Sequence, residues 1–167
     1  ELTWFLEIEA NNASTCTIQY SSQSFNVNIG EDKKLSSGAG SCLILAQDDY
    51  WLRVSPSCYN TEFSISCNQG FLTTLLFKKS TSSTIHVSEK TSSAASGGTT
   101  KEKVESSCFT RGSQMSSCDY ESTLWAAFVL DSVDEDVSAY IPYLIALADE
   151  NERFLPEAFL YALTGNT

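Results

Sequence analysis

Cys118-Asp119-Tyr120-Glu121-Ser122-Thr123-Leu124-Trp125-Ala126-Ala127 is where the chain changes character. Upstream the sequence is cysteine-punctuated and strand-like; downstream it is cysteine-free and helical. Asp119 is of a type that caps a helix, Glu121 suits a positive first turn, and Leu124, Ala127, Phe128 and the Leu130 to Val133 region supply an apolar stripe. Ser138 is expected to cap a second helix, with Pro142 in its opening turn and Ile141, Leu144, Ile145 and Ala148 at helical spacing. A third is expected to start at Pro156, carry Phe159, Leu160 and Leu163 on one face and stop at Gly165. The connections 134–137 and 150–155 are short enough to make neighbours antiparallel, so Leu124, Phe128, Leu144, Phe159 and Leu160 are expected to be buried together.

Working back from Cys118, Leu2, Trp4, Leu6 and Ile8 alternate with Thr3, Phe5, Glu7 and Glu9, the period of a strand with one buried face. Residues 15–20 and 24–29 read as a hairpin around Ser21-Ser22-Gln23, followed by strands at 41–46, 50–54, 62–67 and 71–78, with Ile85 and Val87 marking one more edge strand in 84–88. Short strands at this spacing predict a sandwich or barrel. Residues 89–102, rich in Ser, Thr, Gly and Lys, are too polar to order themselves on apolar burial and are expected to form a loop or linker open to O-linked sugars. The fold class expected is α+β: a disulfide-braced antiparallel β-sandwich (1–88), a linker (89–117) and an antiparallel three-helix segment (118–167).

All six cysteines (Cys16, Cys42, Cys58, Cys67, Cys108, Cys118) precede the helices. An even set in a Ser/Thr/Asn-rich chain points to disulfides and an oxidising compartment; zinc is disfavoured because there is no CxxC pair and His86 is the lone histidine. Pairing each with its neighbour along the chain (Cys16 with Cys42, Cys58 with Cys67, Cys108 with Cys118) closes local loops without crossing. Of the 167 residues 42% are hydrophobic, enough for ordinary cores, and the net charge of -11 repels phosphates and anionic membrane surfaces, which excludes nucleic acid as a partner. No run approaches the roughly 20 apolar residues of a bilayer span, and Glu1 opens onto a strand without a basic and apolar leader, as in a processed product.

Thr123-Leu124-Trp125-Ala126-Ala127 and Ala158-Phe159-Leu160-Tyr161-Ala162 read as two copies of one pattern roughly 36 residues apart, the spacing of helical-pair repeats. Over residues 118–165 this resembles the helical-pair repeats of the terpenoid cyclase and prenyltransferase toroid class, as found in non-enzymatic prokaryotic, archaeal-type surface proteins. The resemblance implies a fold fragment and a surface location. It does not imply cyclase activity, since Asp134-Glu135-Asp136 is not the catalytic aspartate motif of those enzymes. Stacks of this kind need about three repeats or a cap, so another surface is expected to cover the open face.

Candidate sites are sparse. His86 lies in a Ser/Thr-rich edge segment with no partner for acid–base work and reads as a solvent-facing residue. Asp131, Asp134, Glu135 and Asp136 lack the Gly-centred spacing of a calcium loop and read as a solvated interhelical turn. Trp4, Phe5, Tyr50, Trp51, Trp125, Tyr140 and Tyr143 are residue types that floor sugar sites, though periodicity assigns most to cores. Lys33, Lys34, Lys78 and Lys79 read as edge-protecting charges. Asn12-Ala13-Ser14 is an N-glycosylation acceptor triplet. No nucleophile, base and orienting group can be assembled, so no enzyme, cofactor or metal is expected.

Two functions follow as expectations. One is an extracellular structural protein, a self-assembling glycoprotein subunit of a cell-surface filament, sheath or adhesive appendage. The first strand meets the requirements for donation to a neighbouring subunit through Leu2, Trp4, Leu6 and Ile8, although pairing within its own chain is the plainer outcome. The other is an extracellular module binding a glycan or protein partner.

Overall fold

The computed structural model describes residues 1–112 and 117–165, and the chain divides into two compact units, Glu1–Val104 and Glu105–Thr167. The fold is α+β, as read: two antiparallel sheets braced by disulfides, then helices.

The first unit carries β1 (Leu2–Ala10), β2 (Ser14–Tyr20), β3 (Gln23–Ile29), β4 (Leu43–Ala46), β5 (Trp51–Val54), β6 (Glu62–Cys67), β7 (Phe71–Lys79), β8 (His86–Ala94) and β9 (Thr99–Lys103). One sheet has the order β4-β5-β1-β7-β8, the other β3-β2-β6-β9. The period-two pattern explains the core: Trp4 and Leu6 from β1, Ile18 from β2, Val27 from β3, Leu52 from β5, Phe63 and Ile65 from β6 and Phe77 from β7 are fully buried, while Glu9, Gln19, Asn26 and Arg53 face solvent. The loop into β4 closes tightly where the Tyr20 hydroxyl donates to Ala39 O (2.7 Å). Gly40, at φ 64°, lies so near Tyr20 and Phe25 that a β-carbon there would collide with the Tyr20 hydroxyl and the Phe25 ring.

The first strand departs from the donation reading. β1 is paired on both sides within its own chain, with β7 from Leu2↔Lys79 to Ala10↔Phe71 and with β5 through Trp4↔Val54, Phe5↔Arg53 and Leu6↔Leu52. Leu2, Trp4, Leu6 and Ile8 therefore lie in the molecule's own core, with one ladder edge of β1 filled along its length by β7 and the other filled by β5 over Trp4–Leu6.

Two of the three expected cysteine pairs are corrected. The bridges are Cys16–Cys67, Cys42–Cys58 and Cys108–Cys118, with no free cysteine. Cys16 and Cys67 are directly opposed in the β2–β6 ladder with Cα atoms 4.0 Å apart, and Cys42 sits opposite the turn before Cys58, where Ser55 N–H donates to Cys42 O (2.8 Å). Sheet pairing, not sequence proximity, brings these partners together. Three bridges are the chemistry of a secreted or extracellular protein. Among the described residues no helix is long and apolar enough to cross a membrane.

The expected linker is also corrected. Residues 89–102 contribute to β8 and β9, and residues 89–104 belong to the sandwich; residues 113–116 of that expected linker lie outside the described residues. β8 is an edge strand, held by a one-sided ladder to β7, so its polar side chains remain largely in water. β9 alternates, but its inward groups are Thr100 and Glu102: the Thr73 hydroxyl donates to Glu102 Oε1 at 2.7 Å and lies 3.0 Å from the Thr100 hydroxyl. A hydrogen-bonded buried carboxylate takes the place of the apolar residue that a hydropathy pattern seeks. Thr73→Val removes a donor from that carboxylate and is expected to destabilise the sandwich by about 1.5–3 kcal/mol, checked by urea denaturation; a change within about 0.5 kcal/mol would show that the contact carries no weight.

The second unit holds α1 (Tyr120–Asp131), α2 (Ile141–Ala146) and α3 (Pro156–Thr164), with a 3₁₀ segment at Ala148–Phe154. Asp119 caps α1 as read, its carboxylate accepting from the Ser122 hydroxyl (2.6 Å) and backbone N–H (2.9 Å), and Gly165 at φ 70° ends α3. α2 starts after Tyr140 rather than Ser138, because Ser138 N–H is turned back to the Asp136 carboxylate (2.9 Å). The core comprises Tyr120, Leu124, Ala127, Val137, Ile141, Tyr143 and Leu144, with Phe159 and Leu160 packed at its margin. Phe128 is the exception to the expected cluster: it is 38% exposed.

The Ser122 bonds hold the Asp119 carboxyl below its usual range. A depressed folded value contributes stability that is present above the ordinary pKa of about 3.9 and lost as pH falls through the lowered value. Asp119→Ala is expected to cost about 1 kcal/mol at neutral pH, and Asp119→Asn, which keeps an acceptor, to flatten the acid dependence. Urea titration of the helical ellipticity at descending pH checks this; equal acid sensitivity in Asp119→Asn contradicts it.

Candidate functional site

Two surfaces stand out, one on each unit. On the sandwich, a groove of about 360 Å³ is lined by Glu7, Ile8, Glu9, Ala10, Ile29, Lys33, Gln47, Tyr50 and Trp51. The alternation of β1 puts Glu7 and Glu9 on the outer face of its sheet. Trp51, the first residue of β5, donates its indole N–H to Glu7 Oε1 (3.0 Å) and packs on Phe5 with ring centroids 5.7 Å apart. Tyr50 is exposed, with the Lys34 ammonium 5.3 Å from its ring centroid, and Lys33 Nζ donates to the carbonyls of Ala10 (2.9 Å) and Asn11. The turn that delivers both aromatics is strained, since Gln47, Asp48 and Asp49 all have left-handed backbones (φ 52°, 54° and 72°). Each such non-glycine residue costs about 1–2 kcal/mol, and conformations of this kind persist at positions that the fold over-determines.

On the helical unit, α1 is apolar on two sides. Tyr120, Thr123, Leu124 and Ala127 face the core, whereas Trp125 (52% exposed) and Val129 (57%), four apart, form an outward ridge with Phe128, and Val133 (63%) is exposed in the turn just past the helix. Phe159 of α3 meets Trp125 and Phe128 edge-on, with centroids at 4.9 and 5.4 Å. A helix with apolar side chains on both faces is suited to burial on both. Acidic groups surround it: from residue 105 onward the only basic residues are Arg111 and Arg153, against Glu121, Asp131, Asp134, Glu135, Asp136 and Glu157 among others.

The remaining candidates are dispersed. His86, the first residue of β8, stacks on Phe77 of β7 (5.3 Å between centroids). Asp136 is a turn acceptor, its carboxyl lowered by bonds from Ser138, and among the described residues no group of three or more His, Cys, Asp or Glu converges to hold a metal. The Tyr120 hydroxyl donates to Leu144 O (2.9 Å), and its phenol is pushed up by burial and by Glu157, which suits a structural tyrosine. Trp4, Phe5 and Tyr143 are buried and Tyr140 stacks on Phe109, so of the candidate aromatics Tyr50 and Trp51 are brought to the groove and Trp125 to the ridge. Asn12 is exposed in the turn after β1. Glu7, Glu9, Lys33 and Gln47 escaped the sequence reading as site residues; the available signal was the outward parity of Glu7 and Glu9 on a strand whose other face is wholly apolar.

The chain matches no protein-family model, no curated protein and no solved structure.

Proposed function

We propose that this is a non-catalytic extracellular structural protein, a subunit that associates with further copies of itself at the cell surface through the α1 ridge. The observation that carries this reading is the doubly apolar α1, whose outward Trp125, Phe128 and Val129 have no partner within their own unit comparable to the core beneath them. The charge distribution favours a head-to-tail arrangement. Two strongly acidic helical faces repel, whereas the sandwich holds every other basic residue and is close to neutral, so a helical face meets less repulsion on a sandwich than on another helical face. Ridge against sandwich is a heterologous contact, and such contacts propagate into open polymers or rings. This reading makes no use of β1, which is paired within its own sheet.

Sedimentation and electron micrographs of the full chain over a range of concentration and salt test this. Polymers that persist or grow as salt screens the acidic charge, and that Trp125→Glu abolishes while leaving a folded monomer, are the expected result. A monomer at high concentration under all salt conditions overturns it.

A further inference from the structure

We propose that the groove at the end of β1 binds a neutral saccharide. The site is independent of the α1 ridge and makes no use of self-association. Its volume of about 360 Å³ lies within the range of small-ligand sites, roughly 300–1,000 Å³. Its lining divides into an aromatic part, Tyr50 and Trp51, and a hydrogen-bonding part, Glu7, Glu9, Gln47 and Lys33, with Ile8, Ala10 and Ile29 forming the apolar remainder.

Charge selects among the ligand classes. An anion would meet two carboxylates, Glu7 and Glu9. A cation would meet two like charges, the Lys33 ammonium in the groove and the Lys34 ammonium 5.3 Å from the Tyr50 ring centroid. A wholly apolar ligand would strip water from four charged or amide side chains without replacing their hydrogen bonds. A neutral ring bearing several hydroxyls avoids all three penalties. Its C–H face packs on an aromatic ring, and its hydroxyls both donate to carboxylate oxygens and accept from the Gln47 amide and the lysine. Glu7, with one oxygen engaged by Trp51, still has acceptor capacity, since a carboxylate offers about four lone-pair directions.

The site is also held in shape before any ligand arrives. Trp51 is fixed at both ends, by Glu7 and by Phe5, and Lys33 is anchored on the β1 terminus. The consecutive left-handed residues Gln47, Asp48 and Asp49 set the position of Tyr50. Little freedom is left to lose on binding.

The test is a titration of the isotope-labelled full chain with cellobiose, maltose and chitobiose, and in parallel with glucuronate and choline, following the amide signals and the Trp51 indole N–H by NMR. Saturable shifts of Trp51, Tyr50 and Gln47 with at least one neutral disaccharide are expected. Tyr50→Ala, an exposed position, should weaken that binding about tenfold with the remaining spectrum unchanged, and Glu9→Gln should weaken it without making glucuronate the better ligand. Groove shifts with glucuronate or choline alone overturn the proposal. So does the absence of groove shifts with all three disaccharides at about 10 mM, beyond the weak end of ordinary affinities.

Discussion

Cys16→Ala/Cys67→Ala is expected to destabilise the sandwich by about 4 kcal/mol through loop closure alone, against about 3 kcal/mol for Cys42→Ala/Cys58→Ala. The difference follows from the span of each bridge, 51 residues against 16. The first bridge also joins two central strands, β2 and β6, at a fully buried pair, so its loss loosens the ladder from within. For a unit whose net stability is about 5–15 kcal/mol, the first change removes a large share, equivalent to roughly 15–30 °C in melting temperature. Thermal and urea unfolding of the two double variants measures it. Equal losses, or a larger loss from the Cys42–Cys58 pair, would show that loop length does not set the ranking.

The same bridge shows why connectivity was not legible. Neighbouring cysteines along a chain are a reasonable first choice, but Cys16 meets Cys67 because β2 lies between β3 and β6, and strand order is a long-range property that no local pattern encodes. Strand existence was a different matter. From Leu2 to Lys78 the alternation of apolar and polar residues located seven strands, since half-burial leaves a period-two trace. It placed the start of β8 as an edge strand through Ile85 and Val87 but missed its continuation past Ser88 and the whole of β9, where an edge ladder and the Thr73–Glu102 contact order a segment that buries little hydrocarbon. Hydropathy detects burial of carbon. It does not detect a carboxylate satisfied by a threonine.

The sites were legible only in part. Tyr50 and Trp51 stood among the aromatic candidates, yet nothing local separated them from Trp4, which is buried, or marked Lys33 as their neighbour across the β3–β4 connection. The helices were readable at their ends, because Asp119 and Gly165 act through local backbone geometry. Their facing was less so. A helix apolar on both sides gives no stripe from which to choose an inner face, and Phe128 was accordingly expected inside.

Leu124→Ala is expected to unfold the helical unit at low protein concentration while leaving the sandwich folded. Leu124 is 0% exposed at the centre of a cluster that includes Tyr120 and Leu144, and truncating such a leucine costs about 2–5 kcal/mol. A unit spanning Glu105–Thr167 has a net stability of only about 3–9 kcal/mol, and three of its core members come from the six-residue α2, which cannot stand alone. Phe128→Ala, in contrast, removes an edge contact with Phe159 at an exposed position and should cost under about 1.5 kcal/mol in the monomer. Helical ellipticity against urea, measured on dilute protein, separates the two. The comparison also bears on assembly, because a residue on an association ridge should weaken polymerisation far more than it weakens folding. Equal losses of monomer stability in Leu124→Ala and Phe128→Ala would mean that Phe128 belongs to the fold rather than to the surface between subunits.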